Sequence, residues 1–205
     1  MIDLFNMDCM EYMAGCEDNA FDLAIVDPPY GIGEDGGKFR DRKGRGNYRV
    51  FESKGWDAEP PKEEYFAELE RVSTNRIIWG ANHFANRFDA SSSGWIYWDK
   101  RMGGDFADGE LAYTSFNKAL KSYSQCNKAA GRIHPCEKPV KLYSWLLENY
   151  ADTGKRILDT HLGSGSSAIA AHYFGCDFVG TELDPDYFKA AQERFDNETK
   201  QAAMF

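Results

Sequence analysis

The chain has 205 residues, 42% hydrophobic and 15% aromatic, with a net charge of −9. That is enough apolar mass for one domain with a real core, and it excludes a disordered or low-complexity chain. No apolar run approaches the ~18 residues of a membrane span, and the opening MIDLFNMDCMEYM lacks the basic-then-apolar order of a signal peptide, so neither a membrane helix nor a leader is expected. The five cysteines (Cys9, Cys16, Cys126, Cys136 and Cys176) form no CxxC pair and the four histidines are scattered, so reduced cytoplasmic thiols are expected rather than a metal site. The acidic balance weighs mildly against a nucleic-acid partner. Its distribution does not: the segment Gly36–Gly55 holds seven Lys/Arg against two acids.

In chain order, Asp3–Met7 is a short candidate strand. Phe21–Val26 (FDLAIV) is a nearly continuous apolar run, as expected of a parallel strand buried on both faces. Lys38–Arg49 is glycine-rich and polar, too long for a simple connector. Pro61–Ser73 places Tyr65, Phe66, Leu69 and Val72 on one helical face. Strands are expected at Arg76–Gly80, Trp95–Trp98 and Glu110–Phe116, the last two forming an antiparallel pair at the sheet edge. Pro139–Tyr150 reads as a helix with proline at its first position. Arg156–Thr160 and Asp177–Glu182 read as strands. Ser166–Phe174 reads as a small apolar helix stopped by Gly175, and Pro185–Asn197 as a helix capped by Asp184. Strands alternating with helices predict an α/β fold with a mostly parallel sheet.

Leu158–Ala168 (LDTHLGSGSSA) joins a strand ending in Asp159 to a helix through a glycine loop. Glycine permits close backbone approach to a ligand. Glu182 ends the next strand 17 residues after Gly165, where a carboxylate can accept both hydroxyls of a ribose. Gly163-x-Gly165-x-x-Ala168 also fits the pattern of NAD or FAD enzymes, although only 40 residues follow Gly165. A tight strand–helix turn without a ligand is the remaining reading.

Asp27-Pro28-Pro29-Tyr30 follows directly on FDLAIV. Two prolines fix the backbone and remove two N–H donors, so the turn presents a carboxylate, a carbonyl and an aromatic ring. That set suits a planar ring bearing an NH₂ group. Two acceptors can each take one amino proton, and a ring can stack on the base. Acceptors aimed at the nitrogen also stabilise the positive charge that develops there on alkylation. An ordinary Asp-Pro-Pro turn is the bland alternative.

Taken together, these segments resemble the DNA amino-methyltransferases, the adenine-N6 and cytosine-N4 enzymes. FNMDCMEYM with FDLAIVDPPYG is similar to the family's opening and catalytic motif, HPCEKPVKL to its Lys-Pro motif, LDTHLGSGSSA to its glycine motif and VGTELDPDYF to the acidic motif that follows. Their order resembles the beta group and small phage or prophage adenine methylases. The resemblance implies a Rossmann-like methyltransferase fold, S-adenosylmethionine as cofactor, DNA as partner, base flipping, and a cytoplasmic setting in a bacterium or phage-infected host. Asp27, Pro28, Pro29 and Tyr30 would hold and stack the target base. Asp8, Lys138, Pro139, Asp159, His161, Leu162, Gly163, Ser164, Gly165, Glu182 and Leu183 would line the cofactor. Asp8 with Glu11 reads equally as a helix capping box. His161 departs from the family, which carries phenylalanine there.

A single methyltransferase domain spanning 1–205 is expected, with small DNA-recognition insertions near 31–55 and 100–132. Lys38, Arg40, Arg42, Lys43, Arg45 and Arg49 are the candidate phosphate contacts. So little recognition surface implies a short target, relaxed specificity or help from a second subunit in a homodimer. Adenine N6 is the expected target, by the family habit of aspartate at the first position of the tetrapeptide. A cytosine-N4 enzyme, an enzyme acting on RNA or on a protein glutamine, and a nucleotide- or DNA-binding module without turnover are the alternatives.

Overall fold

A computed structural model describes residues 1–36, 51–101, 107–126 and 131–200. Its eight strands are β1 (Ile2–Phe5), β2 (Phe21–Val26), β3 (Ser73–Trp79), β4 (Ile96–Asp99), β5 (Gly109–Thr114), β6 (Lys121–Ser124), β7 (Arg156–Asp159) and β8 (Asp177–Thr181). Among the described residues α1 (Cys9–Ala14), α2 (Glu63–Val72), α3 (Val140–Tyr150) and α4 (Ser166–Phe174) lie between strands, and α5 (Pro185–Lys200) follows β8. The strands form one sheet in the order β1-β8-β7-β2-β3-β5-β4-β6. β5 pairs antiparallel with both β3 and β4, and every other pairing is parallel.

FDLAIV is continuous because β2 lies at the centre of the sheet with helices on both faces. Leu23 and Ile25 pack toward α3 and α4, while Phe21, Ala24 and Val26 pack toward α1 and α2. Leu142, Leu146 and Leu147 of α3 are fully buried, and each such side chain contributes about 1.5–3 kcal/mol to the core. Asp8 caps α1 by accepting from Met10 N at 2.7 Å and Glu11 N at 3.2 Å. Asp184 caps α5 by accepting from Asp186 N and Tyr187 N.

The expected pair β4–β5 forms, but it is not the edge, because β6 adds outside β4. KSYS is too polar and exposed to announce a strand. Pro139 stands at the N-cap of α3 rather than inside its first turn.

Two consequences of the topology build the site. The chain leaves β2 toward β3 on one side, whereas β7 continues to β8 on the other. The sheet order therefore reverses between β7 and β2, where open α/β sheets hold their ligands. In addition, reversal of β5 brings its first residues, not its last, to the edge where the other strands end.

Candidate active site

Asp27 and Tyr30 extend from β2, and Gly80 follows β3. A side chain at Gly80 would collide with the Tyr30 ring, and its φ of +67° is one that favours glycine, so glycine is required for Tyr30 to lie where it does. His83 stacks on that ring at 5.1 Å between centroids and 15° between planes. The Tyr30 hydroxyl donates to Asp27 Oδ1 at 2.7 Å and lies 3.2 Å from Glu110 Oε2.

Lys138, just ahead of α3, closes the arrangement from beneath. Its ammonium pairs with Asp27 Oδ2, lies 3.0 Å from Glu110 Oε2 and donates to the Tyr30 hydroxyl at 3.1 Å. Lys100, just after β4, pairs with Glu110 Oε1. The four side chains carry two charges of each sign in a nearly dry setting; Lys138 is 3% exposed. Burial would lower the Lys138 pKa, but Asp27 and Glu110 outweigh it and hold the ammonium above its ordinary range. Burial likewise opposes ionisation of Glu110, yet Lys138 and Lys100 bring its pKa down to about 2. For Asp27 burial wins: its pKa is raised, with Lys138 opposing and Glu110 reinforcing. The two carboxylates are thus driven in opposite directions.

Across the β7–β2 crevice lies a second group. Asp159, at the end of β7, is 1% exposed. It accepts from Ser167 Oγ at 2.6 Å and His161 N at 3.0 Å. Burial first, with help from Asp27 and Glu182, pushes its pKa up to about 7. Glu182, just past β8, accepts from Gly163 N and Asp184 N, each at 2.9 Å, and burial raises its pKa too. Among the described residues neither carboxylate has a Lys or Arg partner within ion-pair distance. Gly163 and Gly165 both take positive φ to make the turn. Such a pocket suits a cation against a close-approaching backbone, and it disfavours the diphosphate of a dinucleotide.

His161 is held in a chain of hydroxyls. Tyr65 Oη lies 2.6 Å from Thr160 Oγ1, which lies 2.9 Å from His161 Nδ1. Both hydroxyl protons find an acceptor if Tyr65 donates to Thr160 and Thr160 to Nδ1, which leaves Nε2 as the protonated ring nitrogen. Burial lowers the His161 pKa to about 4, so the ring is neutral. Among the described residues no cluster of His, Cys, Asp or Glu is arranged to hold a metal ion, and no helix is long and apolar enough to cross a membrane.

Residues 78–193 match the family model of the N6_N4_Mtase DNA methylases, more than half of the chain. The chain belongs to this family of DNA methylases. Among curated proteins this methylase is similar to YubD of Escherichia coli (strain K12), a provisionally assigned methylase, at 27% identity over 91% of this chain and 87% of that protein. It is also similar to the type II methyltransferase M.HpaI of Haemophilus parainfluenzae, at 23% identity over 93% and 73%. Among solved structures it shares the fold of the M1.HpyAVI–SAM complex, with a TM-score of 0.67 and 18% identity over 96% of this chain and all of that one. It shares the fold of the cytosine-N4-specific PvuII DNA methyltransferase at a TM-score of 0.61 and 11% identity over 98% and 92%.

Of the residues expected to act in the methylase, Asp27, Pro28, Pro29 and Tyr30 form one cluster at the end of β2. Asp159, His161, Leu162, Gly163, Ser164, Gly165 and Glu182 gather around the glycine turn. Leu183 stands beside Glu182 and is 68% exposed. Asp8 is exposed and committed to capping α1. Lys138, expected beside the cofactor, directs its ammonium to Asp27 and Glu110, and Pro139 stands at the N-cap of α3. Lys38, Arg40, Arg42, Lys43, Arg45 and Arg49 lie outside the described residues. Sequence reading missed Glu110, Lys100, His83 and Gly80. Only the strand pairing brings them to Asp27, and no local signal marks them.

Proposed function

We propose that this methylase transfers a methyl group from S-adenosylmethionine to the exocyclic N6 amine of adenine in DNA. The observation that carries the reading is the raised Asp27 carboxylate beside Tyr30, facing across one crevice the buried Asp159 and the half-buried Glu182, neither of which has a cation partner among the described residues. S-adenosylmethionine brings two cations, an ammonium and a sulfonium, and supplies an electrophilic methyl group. Asp159 would face its amino-acid part and Glu182 would accept from its ribose hydroxyls, with the Gly163–Gly165 backbone lying close and Leu183 offering an apolar face.

The protein's own part is to prepare the amine. Its nitrogen lone pair is delocalised into the base. Asp27 and the Pro28 carbonyl, accepting one amino proton each, would draw the lone pair out of conjugation and stabilise the charge as it grows. The nitrogen then gives up one proton, and Asp27, the more basic carboxylate of the cluster, is the nearer acceptor. Tyr30, backed by Gly80 and His83, would stack on the base once it has left the duplex.

Aspartate at the first position of Asp27–Tyr30 supports adenine. Cytosine N4 is the second reading, favoured by the shared fold of the cytosine-N4-specific PvuII enzyme. Residues 1–205 would act as one domain with recognition insertions near 31–55 and 100–132, the basic segment Lys38–Arg49 meeting the phosphates. Mass spectrometry of nucleosides from DNA incubated with enzyme and methyl-labelled S-adenosylmethionine separates the readings. Labelled N6-methyladenine is expected; labelled N4-methylcytosine alone would replace adenine by cytosine.

A further inference from the structure

Glu110 belongs to no motif, yet it touches both partners of Asp27. We propose that Glu110 is a positioning residue for methyl transfer: it receives the Tyr30 hydroxyl and the Lys138 ammonium when Asp27 turns its carboxylate to the substrate amine. This rests on reading Asp27 as the amine acceptor.

Both Asp27 oxygens are engaged in the structure, Oδ1 by Tyr30 and Oδ2 by Lys138. An amine that donates to Asp27 must displace one of them or crowd a shared lone pair. A buried donor left without an acceptor is costly, an ammonium most of all. Neither donor is stranded here. Glu110 Oε2 already lies 3.2 Å from the Tyr30 hydroxyl and 3.0 Å from Lys138 Nζ. Lys100 on Oε1 fixes the rotation of the carboxylate, so Oε2 stays aimed at the exchange. Glu110 can occupy this place because it begins a reversed strand, whose first residues lie at the edge where the parallel strands end.

The charge arrangement points the same way. When the environments of neighbouring titratable groups drive their pKa values apart, the acid–base roles divide with them. Glu110 stays ionised and serves as a fixed charge, while Asp27 is the carboxylate that can take a proton. Among the described residues the other titratable groups around Asp27 are Lys138 and Cys136 ahead of α3, Tyr143 on α3, Tyr65 on α2, His83 behind Tyr30, Tyr30 itself, Lys100 and Asp159. Cys136 is pushed up to about 12, and Tyr30, Tyr65 and Tyr143 are raised well above their ordinary range, so all four remain neutral. Asp159 and the other groups are unchanged in Glu110→Gln and Glu110→Asp, so their contributions cancel between those variants and wild type.

The test compares wild type, Glu110→Gln and Glu110→Asp with the full chain, duplex DNA and S-adenosylmethionine. It follows kcat and KM against pH, with cofactor affinity measured separately by calorimetry. Glu110→Gln is expected to lower kcat by roughly 10–100-fold, the scale of a lost supporting partner, with cofactor affinity kept within about twofold. Glu110 holds the Asp27 pKa up, so removing its charge lets that pKa fall, and the acid limb of the kcat profile should move to lower pH. Glu110→Asp keeps the charge but withdraws the oxygen, so it should retain the wild-type limb with a smaller loss of kcat. The proposal is overturned if kcat of Glu110→Gln stays within about twofold of wild type, or falls with an unmoved limb. Should Glu110→Gln not fold, Glu110→Asp decides: a lowered kcat with intact cofactor affinity supports the proposal, and an unchanged kcat overturns it. An active Asp27→Asn enzyme would instead sink the reading on which this rests.

Discussion

Replacing Lys138 by methionine keeps an apolar stem and removes the ammonium. Glu110 retains Lys100, so the carboxylate left without a cation is Asp27, whose side chain is only 16% exposed. Breaking a buried pair by removing one partner costs about 3–5 kcal/mol, and because Asp27 can protonate, the lower end of about 3 kcal/mol applies. For a domain of this size that corresponds to a fall in Tm of about 6–12 °C. The pH dependence carries a sign. Without Lys138 the folded-state pKa of Asp27 rises further above its unfolded value, so the folded form binds more protons in the interval between the two. Stability is then lost as pH rises through that interval, and the deficit should be larger at pH 8 than at pH 5. Thermal melting of wild type, Lys138→Met, Asp27→Asn and the double variant at both pH values tests this. Asp27→Asn in the Lys138→Met background should recover most of the deficit, because it removes the orphaned charge. A Lys138→Met protein melting within about 1 °C of wild type at pH 8, or a deficit independent of pH, would refute the assigned pairing.

Gly80→Ala places a methyl group against the Tyr30 ring at a backbone angle that favours glycine, so it should cost about 1–3 kcal/mol in stability and displace the ring; kcat should fall at least tenfold while cofactor affinity holds. Asp159, with its pKa pushed up to about 7, is partly protonated near neutrality. A cation settling beside it lowers that pKa, so S-adenosylmethionine binding at pH 6.5 should release protons, seen as a dependence of the calorimetric enthalpy on buffer ionisation. The dependence should be much smaller in Asp159→Asn, and its absence at pH 6.5 would place the cation elsewhere.

The legible parts of the sequence are those in which local chemistry and global position agree. FDLAIV gave β2 to the residue because burial on both faces leaves no polar position, and Ser166–Phe174 gave α4 because glycines bound it on both sides. The grouping of Asp27, Asp159 and Glu182 was legible because each stands at the end of a strand or directly after it, on the edge where open α/β sheets hold ligands. β6 escaped because an exposed edge strand of KSYS has no apolar pattern. α1 was visible only through its cap, being six residues long. The position of Lys138 was legible, but the direction of its ammonium was not. That direction depends on Glu110, which lies 28 residues away in sequence and reaches the site only because β5 runs backwards.

Methyl transfer by the wild-type chain compared with Asp27→Asn tests the central claim most directly. Each would be incubated with duplex DNA and methyl-labelled S-adenosylmethionine, with cofactor affinity measured on the same preparations. Wild type should place label on an exocyclic base amine, and Asp27→Asn should bind the cofactor normally while transferring nothing. Undiminished transfer by Asp27→Asn, or label on a ring carbon of the base, would contradict the assignment of Asp27 and Pro28 as acceptors for the amine.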